Sequence, residues 1–427
     1  MAGLAAAERR IVAWLAARES EMLSLLADIV NIDSGTRHAD GVGAVAARLH
    51  GFFADHGLSG EAIAGPPFGN GLKVRVAGGN GPSALLMGHL DTVFPVGEAG
   101  RRPFGLAGGR AGGPGVADMK AGIVMNAFVL AAFQACGGHG GPLTGLFTGD
   151  EEVGSPAYRP LIEAEAAQAD FAFNAEPGRP SGNVVVERRG GVFMRMAIKG
   201  KAAHSGIDVR AGISAVEELS HKVLALHALT DDRITVNVGV VSGGQSVNTT
   251  APGAEALIDL RYPRAEDRAG IMAAIAAIVE RSWVPGSSAR LDITGEFVPM
   301  PPDAGTRALF ERYRQAARDL GFEVGAEATG ACADSGFAAA AGATTLCGLG
   351  PVGGNAHSPA EYVEADTVVP RAQALALTIL RLDPAETRRG RGAARTTLPS
   401  PDGEGNDPAP PGIHAANHGV TDNEKKL

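Results

Sequence analysis

At 427 residues the chain exceeds the usual reach of one hydrophobic core, so its length predicts two domains. Its 38 basic and 47 acidic residues leave a net charge of −9, which argues against nucleic acid as the main partner. Its three cysteines, Cys136, Cys332 and Cys347, are too few and too irregularly spaced for a disulfide framework. They predict small buried thiols in a reducing compartment, hence a cytoplasmic location.

In chain order, the first thirty residues read as one amphipathic helix, with Glu8, Arg9, Arg10 and Arg18 breaking any signal-peptide core. No apolar run approaches the roughly 20 residues of a membrane span, so no membrane partner is expected. Up to about residue 182, apolar strands at 72–78, 83–89, 143–148 and 170–177 alternate with helical stretches such as 120–136. That alternation predicts an α/β unit with a mostly parallel sheet covered on both faces. From about 188 a two-residue period takes over. Val192, Met194, Met196 and Ile198 fall on one face; so do Ile234, Val236, Val238 and Val240, then Ile258 with Leu260 and Leu291 with Ile293. With helices at about 209–228 and 265–283, the order becomes β-α-β-β-α-β, a ferredoxin-like insert. The α/β pattern resumes to about 382. The expected division is a discontinuous catalytic unit (1–187 and 297–383), an inserted domain (188–296), and a tail (384–427) too poor in large apolar residues to order itself.

Several residues with metal-binding or acid–base chemistry fall at loops and strand ends of the α/β unit. His89 ends a strand in LLMGHLDTVFP, with Asp91 two residues on, where an extended chain puts both on one face. Asp118 lies in the Gly-rich turn GPGVADMKAG, Asp150-Glu151-Glu152 follow a buried strand in GDEEVGS, Glu176 ends another in NAEPG, and His357 sits in GGNAHSP. Taken singly each has a plain reading: a surface histidine, a helix N-cap, a solvated acidic turn, a strand terminus, an exposed histidine. Together, two histidines and three carboxylates at the ends of parallel strands form a donor set suited to borderline divalent ions, which a carboxylate can bridge.

The motifs GHLDTVFP, GPGVADMKAG, GDEEVGS, AEPG, GKAAHSG and GGNAHSP, in that order, resemble a family of di-zinc metallopeptidases. It contains glutamate carboxypeptidase, acetylornithine deacetylase, succinyl-diaminopimelate desuccinylase and aminoacylase. The resemblance spans roughly residues 10–383 and is strongest to the glutamate carboxypeptidase branch. It implies that Asp118 bridges two divalent ions, most simply Zn2+ with Mn2+ or Co2+ as substitutes. His89 and Glu176 would complete one site, Glu152 and His357 the other, and Asp91 would orient His89. It further implies a cis peptide after Asp118, Glu151 as general base and then acid, and a homodimer in which His204 reaches the partner's active site. Asn248 and Arg261 would bind the substrate carboxylate; an exposed strand-face charge is the plain alternative for Arg261. The loop ACADSGF (331–337) departs from the family's usual form on the substrate side.

The expectation is therefore a metal-dependent hydrolase of amide C–N bonds, releasing a C-terminal amino acid from a small substrate with a free carboxylate. A deacylase of N-acyl amino acids, or an aminohydrolase of an unusual aromatic substrate, is the alternative within the fold. A catalytically inactive binding protein is the alternative outside it; the intact Glu151 and five ligands argue against it.

Overall fold

The computed structural model describes residues 4–387; the expected disordered tail thus lies, from residue 388 on, outside the described residues. Its six-stranded sheet runs in the order Gly60–Ile63, Gly71–Val76, Leu143–Thr148, Ala84–His89, Phe171–Asn174, Thr344–Leu346. The last four strands pair in parallel and the first two antiparallel. Ala84–His89 lies at the centre with every residue buried, as a continuous apolar run must when helices cover both faces. Its alternation divides two cores. Leu86 packs with the helices Glu19–Val30, Ala39–Asp55, Ala121–Cys136 and Val368–Leu380, whereas Leu85 and Met87 pack with Arg159–Gln168 and Ser335–Ala340.

The stretch Val116–Cys136 is long and apolar enough to cross a membrane, contrary to the reading of its composition above. It is 94% buried, which makes it the core helix of the α/β unit. Gly122 lets it approach the sheet: a Cβ there would lie 1.9 Å from the Ala175 carbonyl oxygen. That contact draws the loops of Asp118 and Glu176 together.

The insert is an antiparallel sheet in the order Thr235–Gly243, Gly253–Tyr262, Gly190–Lys199, Ser288–Phe297, backed by the helices Ala215–His227 and Asp267–Glu280. This is the expected β-α-β-β-α-β order. Val192, Met194, Met196, Ile198, Ile258 and Leu260 form its core. Val240 and Ile293, expected on the same apolar face, are 54% and 49% exposed. Both lie on edge strands at register shifts, between Val238 and Val240 and between Ile293 and Gly295, where a bulge turns the side chain out of phase. The chain enters and leaves the insert side by side, with Arg188 and Met300 exchanging two backbone hydrogen bonds of 3.0 Å.

The single N-terminal helix of the sequence reading is two, Ala6–Ala16 and Glu19–Val30. At the break Arg18 turns back, its guanidinium 3.7 Å over the Trp14 ring and bonded to the Trp14 carbonyl. All three cysteines are free; Cys347 is buried, while Cys136 and Cys332 are only half-buried.

Candidate metal centre

Three neighbouring strands of the sheet and the His357 loop deliver the donors. In register His89 sits opposite Thr148, so the strand Ala84–His89 ends beside the turn carrying Asp150, Glu151 and Glu152. Glu176 leaves the adjacent strand Phe171–Asn174. A small sheet pairing Arg110–Gly112 with Tyr362–Glu364 brings the His357 loop against the turn of Asp118. The Asp118–Met119 peptide is cis. The helix beyond begins at Ala121 and receives no side-chain cap, so Asp118 does not serve as its N-cap.

Asp118 faces two ways. Its Oδ1 lies 3.2 Å from His89 Nε2, and its Oδ2 lies 3.2 Å from His357 Nε2. Around His89 Nε2 gather Glu176 Oε1 at 3.8 Å and Glu151 Oε2 at 3.9 Å; around His357 Nε2 lies Glu152 Oε2 at 3.2 Å. His89 is 1% exposed, whereas His357 is 53% exposed and marks the side open to solvent. His357 and Asn355 hold positive φ angles, 63° and 56°, conformations that cost energy outside glycine and collect at functional loops.

Asp91 organises this arrangement from behind. The Asp91 carbonyl, which can only accept, takes a hydrogen bond from His89 Nδ1 (2.9 Å), so Nε2 is left to face the carboxylates. The Asp91 carboxylate accepts from Thr36 Oγ1 (2.7 Å) and from the backbone amides of Glu151 and Glu152 (3.2 Å each). Asp150 points elsewhere: its carboxylate accepts from the amides of Ala157 and Tyr158 and closes the turn. The three adjacent acids therefore divide into a turn clasp, Asp150, and two side chains at the centre.

Acidic groups outnumber basic ones in this cluster. Burial pushes the Glu151 carboxyl well above its usual range, helped by Glu176, Asp334 and Glu152. Burial also lifts Glu152 to about 7 and raises Glu176. Asp118 is buried too, yet hydrogen bonds from His357 and His89 hold it below the usual carboxylate range. Hydrogen bonds to Asp118 and Glu152 lift His357 to about 10. Among the described residues, the buried oxygens Glu152 Oε1 and Glu176 Oε1 have no hydrogen-bond partner. Orphaned carboxylate oxygens, two imidazoles and a carboxylate shared between them fit a pair of divalent ions. Donor atoms of His89, Asp118 and Glu152, and those of His89, Glu151 and Glu176, each lie within 4.8 Å of one another. These groupings overlap because the cluster is compact; the contacts of the two imidazoles separate it into a His89–Glu176 side and a His357–Glu152 side.

Sequence reasoning missed three residues here. Glu361, 3% exposed, accepts hydrogen bonds from the amides of Gly115 (3.0 Å), Ala117 (2.8 Å) and Asp118 (2.9 Å), fastening the turn of Asp118 to the His357 loop. Arg188, 4% exposed, places Nη2 3.5 Å from Glu176 Oε2. Asp334 accepts from Ser155 Oγ and so braces the end of the Glu151–Val153 turn. The position of Glu361, four residues after His357, and that of Asp334 inside the loop 331–337 hinted at their parts; Arg188 carries no local signal.

His204, Asn248 and Arg261 do not join this cluster. His204 and Asn248 are exposed on the insert, bound to their own loops through Gly206 N–H to His204 Nδ1 (3.2 Å) and Ser246 Oγ to Asn248 Oδ1 (2.9 Å). Arg261 is half-buried, with Nε bonded to Asp259 (2.8 and 3.1 Å) and Nη1 2.6 Å from Cys332 Sγ in the loop 331–337. It ties the strand Gly253–Tyr262 to the loop 331–337 and is not a free strand-face charge.

Residues 85–381 match peptidase family M20/M25/M40. The chain belongs to that family. It is 30% identical over 399 residues to carboxypeptidase G2 of Pseudomonas sp. (strain RS-16), covering 90% of this chain and 95% of that protein. It is 27% identical over 359 residues to acetylornithine deacetylase of Klebsiella pneumoniae (strain 342), covering 78% and 88% respectively. Among solved structures, an M20 family metallo-carboxypeptidase from Sulfolobus solfataricus superposes with a TM-score of 0.71 at 15% identity, over 84% of this chain and 98% of that one. M20 membership and these relatives make the chain a metal-dependent hydrolase of amide C–N bonds.

Proposed function

We propose that this M20 hydrolase is a glutamate carboxypeptidase-like enzyme that releases a C-terminal amino acid from a small amide carrying a free carboxylate. The observation that carries the reading is Asp118 presenting one oxygen to each imidazole at 3.2 Å, with the unshared carboxylate of Glu151 beside it. His89, Asp118 and Glu176 would hold one divalent ion and His357, Asp118 and Glu152 the other, most simply zinc given the mixed imidazole and carboxylate donors. Bound there, the ions would polarise the scissile carbonyl and acidify water.

Glu151 takes the proton from the attacking water and returns it to the leaving nitrogen. The raised affinity for protons that burial gives it suits both halves of that transfer. Asp91 holds Glu151 and Glu152 in place through their amides.

The insert, bounded at 188 and 296, would supply the rest. Asn248 and Arg261 bind the substrate carboxylate, Arg261 by exchanging Asp259 for it, and His204 serves the oxyanion in the partner's site. A homodimer is supported by the exposed edge strand Thr235–Gly243, on which Val240 and Val241 are 54% and 57% exposed. The free cysteines support a cytoplasmic location. A deacylase is the second reading, favoured by the acetylornithine deacetylase relative. Zinc-reconstituted protein assayed against folate-like glutamate conjugates and N-acyl amino acids decides between them. Hydrolysis of the conjugates supports the carboxypeptidase; hydrolysis of short N-acyl amino acids alone selects the deacylase; no metal-dependent turnover of either class overturns both.

A further inference from the structure

Beside the metal centre the catalytic unit has a cavity of about 470 Å³ that the chemistry above does not use. It lies between the segments 34–38 and 92–96 and is lined by Arg37, His38, Val93, Phe94, Val96 and Glu152, among others. Its size is that of a small-molecule site. Its frame is fixed. Thr36 N–H donates to the Thr92 carbonyl (3.1 Å) and Thr92 N–H to the Ser34 carbonyl (2.9 Å). The segments approach so closely at Gly35 that a Cβ there would lie 2.4 Å from the Phe94 carbonyl oxygen. Through Thr36 Oγ1 the cavity wall bonds directly to Asp91, the residue that orients His89 and holds Glu151 and Glu152.

Two features of the lining point to a ligand. Val93 and Val96 are 44% and 65% exposed, so the wall presents apolar side chains to solvent. Arg37 is exposed and has no hydrogen-bond or ion-pair partner among the described residues, while His38 is tied by Nδ1 to the Asp33 carbonyl (3.0 Å). Glu152 is the one acid in the lining, and its charge belongs to the metal centre. What complements an apolar wall with one uncompensated guanidinium is an apolar body ending in an anion.

We propose that this cavity binds the acyl side of the substrate, and that it selects an aromatic or extended apolar acyl group ending in a carboxylate, which Arg37 holds. The inference rests on the functional reading above. That reading gives the amino-acid carboxylate to Asn248 and Arg261 of the insert, so the cavity against Glu152 is left for the group on the other side of the scissile bond.

The test compares N-(4-carboxybenzoyl)-L-glutamate with N-benzoyl-L-glutamate on zinc-loaded enzyme. A charge-assisted hydrogen bond to Arg37 should favour the carboxybenzoyl conjugate about 10- to 100-fold in kcat/KM, chiefly through KM. Arg37→Ala should bring the ratio close to one, and Arg37→Lys should restore part of it. The same preference should appear in calorimetric binding to zinc-loaded Glu151→Gln protein. A ratio near one in the unmodified enzyme, or a preference that survives Arg37→Ala, overturns the assignment while leaving the hydrolase reading intact. Hydrolysis of neither conjugate, with the Arg37-dependent binding preference still present, overturns the carboxypeptidase reading and supports the cavity's ligand class. Loss of both overturns both.

Discussion

The two ends of the proposed active site handle charge in opposite ways. At the metal centre Asp91, Asp118, Glu151, Glu152 and Glu176 crowd around a buried and a solvent-facing imidazole, and several carboxyls hold protons more tightly than usual. On the insert His204 and Asn248 stand in water, and Arg261 already has Asp259 and Cys332 for partners. The first region gathers its donors within one largely buried cluster. In the second, exposed polar groups cost nothing, and the proposed roles of His204, Asn248 and Arg261 wait on a ligand or a second subunit. Burial demands local compensation; exposure postpones it.

The sharpest break of that contrast is Glu151→Gln, which removes the proposed proton carrier and keeps the proposed donor set. It should retain its metals in elemental analysis and lose on the order of 10²–10⁴-fold in turnover. Near-normal activity at full metal occupancy would return Glu151 to the role of spectator.

Next comes His204→Ala, expected to cost roughly 10²–10³-fold without loss of metal. If His204 acts across a dimer, mixing this variant with Glu151→Gln should recover up to half the normal activity per hybrid, since one site then carries both defects and the other neither. With subunit exchange demonstrated by differently tagged chains, no recovery means that each chain uses its own His204 or none.

A smaller effect follows from the buried supports. Glu361→Ala leaves three amides of the Asp118 turn without their acceptor and should weaken metal binding about 10- to 100-fold by competitive chelation, with Glu361→Gln recovering part. Asp118→Ala should lower both metals, whereas His357→Ala should lower mainly one. Unchanged affinities would mean that the turn holds its shape unaided.

The mildest test is pH. Burial lifts Glu152 from 4.5 to about 7, and hydrogen bonds to Asp118 and Glu152 lift His357 from 6.5 to about 10. A folded pKa above the unfolded value gives stability that is present at low pH and lost as pH rises, across 4.5–7 for Glu152 and 6.5–10 for His357. Metal-stripped protein should therefore melt lower, by roughly a few degrees, as pH rises through these windows, and zinc should flatten the dependence. A melting temperature that climbs with pH in the stripped protein would contradict the raised proton affinities of Glu152 and His357.

The order of elements was legible because each period is local. Continuous apolar runs such as Ala84–His89 mark strands covered on both faces, and the alternation from Val192 to Ile198 marks a sheet with one. The side chains that cluster were legible too, since histidines and acids at loops and strand ends stand out against apolar flanks. Where sequence reading failed, the cause was non-local. Val240 left its face because a bulge is set by the partner strand.

Amino-acid order alone thus determined which residues could bind a cation and which strands would carry them to one end of a sheet, because hydrophobic periodicity and donor chemistry are written along the chain. Only the tertiary structure decided that Asp118 turns one oxygen to each imidazole and that Glu361 and Arg188 lie beneath the centre. It also decided that Arg37, unpaired among the described residues, lines the cavity beside the centre. Those facts depend on contacts across as many as 246 residues of sequence, where no local pattern constrains which side chain meets which.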